Sequence, residues 1–487
     1  MPTSHTQADR VMTIPSFTFL AFALLVVALF HLSKAWWWRQ AVLIGANVYL
    51  IQSFADNWRQ LLPYAGFIAL GAVGIVMRRN IGRWTAWLLP ILVLAAFVWL
   101  KRYLFVPEAI LLPSGYLLIG LSYVFFRVMH LVIDGWETVP TGIRGLVSYF
   151  NYSLNFTCLV SGPIQRYEDY QESEAKTGRL TAAEVLAAIE RIVLGFFKVY
   201  VVSAVLTSMH HGAIAAFGRA GMDESRIFWG AAVVGLYPIY LYFNFSGYTD
   251  FVIGVARLLH IGLPENFDRP FSSENFINFW GRWHISLSQW LKTYVYGPVT
   301  LGLMRRFPAP GAAPYLGVIA YFVTFFLVGF WHGQTSEFVF FGILQGGGVA
   351  ANKLYQILME RRLGRPAYRQ LAKAGWYRGL MRGLTVTWFA LTLLWFWSNW
   401  AEIGSIARGL GAVGGLQAVC VLFLAFTVIL AALQRMTDLT RSMRLWGQSL
   451  NESGYLRAAL LLQMTVIITF TAIAMNAPPS AIVYTAF

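Results

Sequence analysis

The sequence predicts an all-α, polytopic integral membrane protein, and three observations lead to this prediction. The chain has 487 residues, of which 57% are hydrophobic and only 12% are charged. Soluble domains contain about 25% charged residues, so this composition cannot cover a water-facing surface of matching size. The mean hydropathy is +0.57, and many apolar stretches reach the length of about 20 residues that a bilayer-spanning helix needs. Soluble enzymes, disordered proteins and nucleic-acid scaffolds are therefore excluded.

The apolar stretches, taken in chain order, give the candidate helices. One of them, residues 226–258, is too long for a single span, and we expect it to be broken at Pro238 and Gly247. We expect about eleven true transmembrane helices, with the remaining stretches re-entrant or interfacial. The candidates are residues 15–33, 36–54, 61–77, 84–100, 109–133, 146–162, 186–208, 226–258, 313–331, 336–356, 384–400, 409–433 and 456–476.

The net charge of +15 is interpreted as a topology signal. Lys and Arg concentrate in short cytoplasmic loops of membrane proteins, so we expect no nucleic-acid partner. The densest basic segments, residues 361–382 and 435–444, are predicted to be cytoplasmic, with an external turn near Ala401–Arg408 between them. This topology places the polar N-terminal tail (residues 1–13) and the C-terminus outside the cytoplasm. The two cysteines lie in apolar stretches, and no metal site is indicated.

Residues 278–296 have the pattern of an amphipathic helix. With 100° per residue, His284 falls on the face that carries Trp280, Trp283 and Trp290, whereas Arg282 falls on the opposite face. A single histidine on an apolar face is more often a core residue than a functional one, and both interpretations stay open here. Arg282 is expected to contact either donor phosphates or lipid headgroups.

A second histidine follows the apolar run Tyr315–Trp331 directly. His332 stands at a predicted break between two membrane helices, since another apolar helix begins near Phe338. Ionisable residues at membrane depth are functional candidates, and imidazole is a suitable general base near neutral pH. The alternative is an interfacial loop residue without a role. Beyond it, Gly342 and Gly346 have the spacing of a close helix–helix contact.

Two polar residues, Asn244 and Asp250, interrupt the long apolar stretch on either side of Gly247. They indicate either a broken helix that lines a cavity or hydrogen bonds between intact helices.

Five segments, taken in order, resemble the membrane-bound O-acyltransferase (MBOAT) family. The similarity is to its bacterial branch, which includes the alginate O-acetyltransferase membrane subunit and the teichoic-acid D-alanyl transferase. The chain differs from many bacterial members in having Gln345-Gly346 where they have His-Gly, and in lacking a tryptophan within residues 334–337. The segments are Ser161–Tyr167, Tyr242–Asp250, Leu263–Phe267, Phe279–Ser288 and Gly329–Gly333.

The resemblance implies a helical bundle around a membrane-embedded tunnel, with His332 as the catalytic residue. His284 would be the second polar position, where eukaryotic relatives often have Asn or Asp. The whole chain, 1–487, would form one membrane domain, with a catalytic core at 115–355 and C-terminal helices at 384–476. The expected substrate-binding residues are Trp331, Trp283, Arg282, Asn244, Asp250 and Ser288.

The same resemblance implies a function in the inner membrane of a bacterium. An acyl group, with acetyl the favoured case, would pass from a cytoplasmic thioester to a hydroxyl on an extracytoplasmic polysaccharide or to a partner-protein relay. The donor would be acetyl-CoA or an acylated carrier protein, and no cofactor would be permanently bound. The expected partner is an extracytoplasmic acyltransferase or a small membrane protein.

Two alternatives stay open. The first is D-alanyl transfer from an acylated carrier protein to a cell-envelope polymer. The second, of another class, is a transporter or flippase for a polymer intermediate. Many transporters are built from inverted repeats, and the sequence shows neither such a repeat nor paired intramembrane charges.

Overall fold

The computed structural model describes residues 12–81, 85–103, 105–112, 116–221, 223–442, 444–445, 448–449 and 454–475. It confirms the all-α prediction for these residues, with one antiparallel pair of two-residue strands, β1 (Arg444–Leu445) and β2 (Gln448–Ser449). Residues 1–11 and 476–487, on which the predicted orientation of the termini depends, lie outside the described residues.

The described residues up to Leu258 contain ten α-helices. These are α1 (Phe17–His31), α2 (Trp36–Ser53), α3 (Leu62–Ile81), α4 (Thr85–Leu100), α5 (Leu121–Ile133), α6 (Gly142–Ser153), α7 (Tyr167–Glu174), α8 (Ala182–Phe196), α9 (Ala204–Arg219) and α10 (Glu224–Leu258). Short 3₁₀ turns lie at Trp58–Leu61, Glu108–Ile110 and Gly135–Glu137, and a π-helix at Phe197–Ser203 joins α8 to α9.

After Leu258, the part of the chain that the structure describes contains a further ten α-helices. These are α11 (Phe276–Trp280), α12 (Ile285–Leu291), α13 (Gly297–Arg306), α14 (Ala313–His332), α15 (Ser336–Leu363), α16 (Arg365–Lys373), α17 (Gly375–Thr392), α18 (Leu394–Trp397), α19 (Trp400–Ser442) and α20 (Gly454–Met475). A 3₁₀ turn lies at Pro270–Ser272 and a π-helix at Lys292–Tyr296.

Within the described ranges, six helical segments are long and apolar enough to cross a membrane, which confirms a polytopic architecture. They are Trp58–Asn80, Ala182–Arg219, Glu224–Leu258, Ala313–His332, Gly375–Trp397 and Trp400–Leu439, and four shorter apolar helices lie at Phe17–His31, Ala86–Leu100, Leu121–Ile133 and Arg457–Thr471. The figure of about eleven spans, the re-entrant helices and the central tunnel stay predictions.

The described residues form two compact units. The first contains residues up to Val199 together with Asn244–Pro264, and the second contains Tyr200–Phe243 and Glu265–Met475. Whether the chain functions as one domain stays a prediction. In the second unit, α10, α17, α18 and α19 share an apolar core of small and large side chains. Its buried residues are Ala231, Val234, Val386, Ala390, Leu394, Ala418, Leu422 and Phe426.

The predicted break in the stretch 226–258 is wrong. Helix α10 runs without interruption for 35 residues and includes Pro238. Proline and glycine are tolerated in membrane helices because neighbouring helices, Ser and Thr side chains, and local adjustments satisfy the backbone groups that they free. Gly247 lies where α10 meets the backbone of α8: a Cβ on Gly195 would lie 2.7 Å from the Gly247 carbonyl oxygen. The glycine therefore permits close helix packing.

The predicted turn near Ala401–Arg408 is also wrong, because these residues are helical. The residues outside a helix here are Ser398 and Asn399, between α18 and α19. Asn399 Oδ1 accepts a hydrogen bond from the Glu402 amide at 3.0 Å, and Glu402 Oε2 accepts one from the Asn399 amide at 3.0 Å. These two hydrogen bonds form a capping box. Helix α19 therefore begins at Trp400, before the apolar stretch 409–433 from which the helix was predicted. Gly411, at φ 65°, then kinks the helix.

Candidate active site

His332 is the last residue of α14, as the sequence predicts. The helix ends there because Gly333 adopts an extended backbone, and a Cβ at Gly333 would overlap the Phe338 ring. The side chain is buried, at 2% exposure. Its ring lies 4.6 Å from the Trp331 ring and 5.0 Å from the Phe396 ring, between centroids. An imidazole thus stands at a helix break, inside an aromatic enclosure.

The position of His332 depends on the contact between α14 and α15. A Cβ on Gly329 would overlap the backbone of Gly342, and a Cβ on Gly342 would overlap the Phe326 carbonyl oxygen. A Cβ on Gly346 would lie 2.5 Å from the Phe322 carbonyl oxygen. These glycines let the two backbones touch, which confirms the packing role predicted from their spacing.

The single amphipathic helix predicted over residues 278–296 is wrong. The structure has α11, a turn at Gly281–His284, α12 and then a π-helix. His284 takes a left-handed backbone, at φ 46°, that no α-helix continues through. The Asp268 amide donates to the Arg282 carbonyl at 3.0 Å, which ties the turn to an upstream segment. A helical wheel assumes continuity and could not find this break.

Asn266 holds His284 and the start of α12 in place. Its Oδ1 accepts hydrogen bonds from the Ser286 amide at 3.1 Å and the Ser286 hydroxyl at 2.8 Å, and lies 3.3 Å from His284 Nδ1. Since Oδ1 is an acceptor, Nδ1 carries the proton of this contact, and Nε2 of the neutral ring is then an acceptor. Asn266 belongs to the segment Leu263–Phe267, and no local sequence pattern indicates its contact with His284, 18 residues later.

The structure brings the two histidines together around one tryptophan. The Trp331 ring contacts the His332 ring, and its centroid lies 6.3 Å from that of His284. His284 is 1% exposed, and burial lowers the pKa of its imidazole below the ordinary value because the charged form is desolvated. The site therefore contains two buried imidazoles, of which His284 stays neutral.

Trp283 lies in an aromatic core. Its ring stacks on Phe279 at 5.6 Å and meets the rings of Phe267 at 5.1 Å and Phe389 at 5.0 Å, between centroids. With 1% exposure, the indole supports the turn that precedes His284. Ser288 donates a long hydrogen bond, 3.4 Å, to the Trp283 carbonyl.

Arg282 is partly exposed. Its Nη1 donates to Ser272 Oγ at 3.1 Å and lies 3.8 Å from Asp268 Oδ2. The guanidinium lines a cavity of the second unit.

Asn244 and Asp250 belong to the first unit, where both are buried on α10. Asp250 accepts two hydrogen bonds from Arg191, at 2.9 and 2.7 Å, and one from Lys198 at 2.6 Å. Of the two alternatives predicted for this segment, the broken helix is wrong, and Asp250 makes interhelical hydrogen bonds. Neither Arg191 nor Lys198 was singled out by the sequence, since the partners lie more than 50 residues from Asp250.

Gln345, which departs from the pattern of many bacterial family members, is fully buried on α15. Its Nε2 donates to Thr392 Oγ1 at 2.7 Å. The residue lies one turn after Phe341, whose ring contacts His332 at 6.0 Å.

Comparison with known families decides the classification. The sequence model of the MBOAT, membrane-bound O-acyltransferase family, matches residues 137–393. The chain belongs to this family. In this MBOAT protein, the matched range includes the helix break at His332, the turn at His284 and parts of both compact units.

Three bacterial relatives of this MBOAT protein illustrate its similarity. It is 29% identical over 227 residues to the teichoic acid D-alanyltransferase of Bacillus subtilis (strain 168), and the aligned region covers 46% of the chain and 56% of the relative. It is 31% identical over 241 residues to the teichoic acid D-alanyltransferase of Streptococcus thermophilus, covering 48% and 56%. It is 28% identical over 301 residues to "Probable alginate O-acetylase AlgI" of Azotobacter vinelandii, covering 61% and 56%. The chain thus spans about half the length of these relatives.

Proposed function

We propose that this MBOAT protein transfers an acyl group from a thioester to a hydroxyl, with His332 as the general base. The observation that supports the proposal most directly is the pairing of His332 and His284 around Trp331. Two buried imidazoles in an aromatic enclosure make a low-dielectric environment, in which a positioned base is effective and water is excluded.

The reaction balances with these groups. The His332 imidazole takes the proton of the acceptor hydroxyl while its oxygen attacks the thioester carbonyl carbon. The tetrahedral intermediate collapses as the C–S bond breaks, and the departing sulfur receives the proton from the imidazolium. An ester and a thiol result, and the imidazole returns to its neutral form.

His284 serves as a positioning group in this proposal. With Nδ1–H directed at Asn266 Oδ1, its Nε2 accepts a hydrogen bond and orients a substrate hydroxyl or amide. Stabilisation of an oxyanion would need a donor at Nε2. Because burial lowers the pKa of His284, the protonated ring that could donate from both nitrogens is disfavoured.

The favoured substrates are an acetyl thioester in the cytoplasm and a polysaccharide hydroxyl outside it, in the inner membrane of a bacterium. The name of the Azotobacter vinelandii relative supports an acetyl group. The teichoic acid D-alanyltransferases support the second candidate, D-alanyl transfer from an acylated carrier protein. A partner acyltransferase or small membrane protein would relay the group to the final polymer.

The test uses inside-out membrane vesicles that contain the full chain, given radiolabelled acetyl-CoA. We expect label to enter the polymer or a partner protein with the native chain, and incorporation to fall by at least about 100-fold in His332→Ala, the range of general-base catalysis. The matched control is His211→Ala, because His211 is an exposed histidine on α9. Full incorporation by a folded His332→Ala protein would refute the assignment.

The choice of donor is tested by competition. Labelled acetyl-CoA and a labelled, acylated carrier protein are offered to the same vesicles. Use of the carrier protein alone would replace the acetyl proposal with the D-alanyl one. Transport of a polymer intermediate that continues unchanged in His332→Ala, with no label transferred by the native chain, would instead favour the flippase alternative.

A further inference from the structure

A small cavity of about 40 Å³ lies in the first unit, where α1 ends and α2 begins. It is called the α1–α2 cavity here. Its polar lining includes Lys34, Arg39, Gln40 and Glu174, and aromatic and aliphatic side chains complete it. Since about 10–15 Å³ of such space holds one water molecule, the cavity takes a group of a few atoms and not a nucleotide or a sugar.

Arg39 brings a desolvated charge to this cavity. It lies in the first turn of α2 and is 4% exposed. Its Nε donates to the Ser33 carbonyl at 3.2 Å and its Nη1 to the Lys176 carbonyl at 2.7 Å, while the guanidinium lies over the Phe30 ring. These partners are neutral, and within the described ranges no carboxylate pairs with Arg39 and no acceptor meets its Nη2. A buried charge without a counter-ion is strongly unfavourable, so the guanidinium calls for an anion.

A chain of buried amides fixes the orientation of Gln40. The Phe156 amide donates to Asn47 Oδ1 at 2.8 Å, so Asn47 Nδ2 is the donor to Asn151 Oδ1 at 3.0 Å. Asn151 Nδ2 in turn donates to Gln40 Oε1 at 2.7 Å. Because a backbone N–H only donates, each amide in this chain has one possible orientation, and Gln40 Nε2 is left as a donor. Gln40 is 3% exposed, and no described residue supplies an acceptor for Nε2.

The lining has two cations and one carboxylate. Lys34 is exposed in the turn between α1 and α2, and no carboxylate in the described part of the chain pairs with it. The Glu174 carboxylate is held by neutral donors, since Oε1 accepts from Trp36 Nε1 at 3.1 Å and Oε2 from Ser148 Oγ at 3.0 Å. Together with Arg39, the balance is one net positive charge. Water satisfies the unused donors as well, but only an anion also compensates the buried charge.

We propose that the α1–α2 cavity binds the phosphate of an anionic membrane phospholipid. Arg39 Nη2, Gln40 Nε2 and Lys34 Nζ are the donors for its two non-bridging oxygens. The planar fork of arginine donors suits phosphate oxygens. The small volume takes these oxygens, and the rest of the headgroup stays outside.

The surroundings of the cavity favour a lipid over a soluble anion. Trp37 and Trp38, next to Trp36 of the lining, are exposed. Exposed tryptophans at the end of an apolar helix lie at the headgroup level of a bilayer. The predicted topology, with the N-terminal tail outside, puts the end of α1 on the cytoplasmic side, where basic pockets between helices bind anionic headgroups.

The experiment measures thermal unfolding of the full chain in neutral detergent with added phosphatidylglycerol or phosphatidylcholine. A ligand that binds the folded state raises the unfolding temperature with its concentration, and we expect this effect from phosphatidylglycerol alone. Its apparent affinity should fall about fivefold in Lys34→Gln and about tenfold in Arg39→Gln. The matched control is Arg305→Gln/Arg306→Gln, which removes charge from exposed positions of α13 and should keep the native affinity. Equal effects of the two lipids on the native chain, or native affinity in both test variants, would overturn the proposal.

A further variant is needed because Arg39→Gln also removes packing on Phe30. Gln40→Glu has the shape of the native side chain, still accepts from Asn151 Nδ2 and supplies Arg39 with an internal anion. Without lipid, this variant should be at least as stable as the native chain, whereas its affinity for phosphatidylglycerol should fall at least about tenfold. Retained affinity in Gln40→Glu would count against an anion in this cavity.

Inorganic phosphate has the same chemistry, so it is tested in the same assay. If inorganic phosphate stabilises the native chain through Arg39 and phosphatidylglycerol adds nothing, the assignment to a lipid is wrong. Native mass spectrometry of the chain released from mixed nanodiscs gives a second readout. The native chain should retain one phosphatidylglycerol that Lys34→Gln/Arg39→Gln loses. If neither anion stabilises the native chain, the cavity holds water only, and the proposal fails.

Discussion

Asp250→Asn removes the charge that holds two helical segments together in the first unit. The carboxylate is 10% exposed, and its partners Arg191 and Lys198 are 19% and 17% exposed. The substitution is nearly isosteric and keeps one acceptor oxygen. It therefore changes the charge of the cluster from +1 to +2 with little change in packing.

The expected loss of stability follows from these contacts. A hydrogen bond to a charged group contributes about 1.5–3 kcal/mol, but the three bonds share one carboxylate and do not add. Removing one partner of a buried ion pair costs about 3–5 kcal/mol, because the remaining charge stays desolvated. We therefore expect Asp250→Asn to lower the free energy of unfolding by about 3–5 kcal/mol.

The assay is denaturant unfolding of the purified chain in mixed micelles, monitored by helical circular dichroism. The control is Glu360→Gln, which removes an exposed partner of Arg365 and should cost at most about 1 kcal/mol. Replacing all three residues of the cluster by apolar ones should recover much of the loss. A change below about 0.5 kcal/mol in Asp250→Asn, together with weaker substrate binding, would refute the structural role and support the predicted substrate-binding one.

Four further substitutions, one of them a control, test the candidate site. Gly329→Ala should destabilise the chain by about 1–3 kcal/mol and reduce acyl transfer, because its Cβ meets the backbone of Gly342; Gly347→Ala, which meets nothing within 4 Å, should stabilise by up to about 1 kcal/mol. Trp283→Ala should cost about 3–5 kcal/mol through loss of the aromatic core. His284→Asn should remove part of the pH dependence of stability. In the unfolded chain the imidazole binds a proton below pH about 6.5, whereas in the folded chain burial lowers its pKa and it stays neutral. The free energy of unfolding of the native chain therefore falls by up to about 1.4 kcal/mol per pH unit as the pH is lowered below about 6.5.

Thermal and denaturant unfolding check the two glycine variants and Trp283→Ala, and transfer rates are measured alongside. Equal stabilities of Gly329→Ala and Gly347→Ala would contradict the close contact of α14 and α15. A Trp283→Ala protein with native stability but a raised KM would show that this ring contacts substrate. For His284, identical slopes of unfolding free energy against pH 4–6 in the native chain and His284→Asn would contradict a neutral buried ring.

The sequence could predict the features that depend on neighbouring residues. The composition determines the helical membrane class, and the apolar run before His332 followed by Gly333 predicts the end of α14. The close packing at Gly342 and Gly346 follows from their spacing on one helix. These are local signals, and each of them is confirmed.

Features that depend on distant residues could not be predicted in this way. From the neighbouring residues alone, Gly247 predicts a break in the helix. In the structure it lies against Gly195 and permits close helix packing. The turn at His284 depends on Asn266, 18 residues earlier in the chain. Arg382 was interpreted only as a topology signal, because its place beside Glu274 arises from tertiary packing.

The left-handed backbone of His284 restricts which amino acids can replace it. Outside glycine, this conformation is adopted mainly by asparagine, aspartate and histidine. These are also the residues that the family resemblance places at this position. The backbone of the turn therefore limits the amino acids at this position before the chemistry of the site does. A β-branched or large apolar substitute would change the path of the chain before it changed any contact with a substrate.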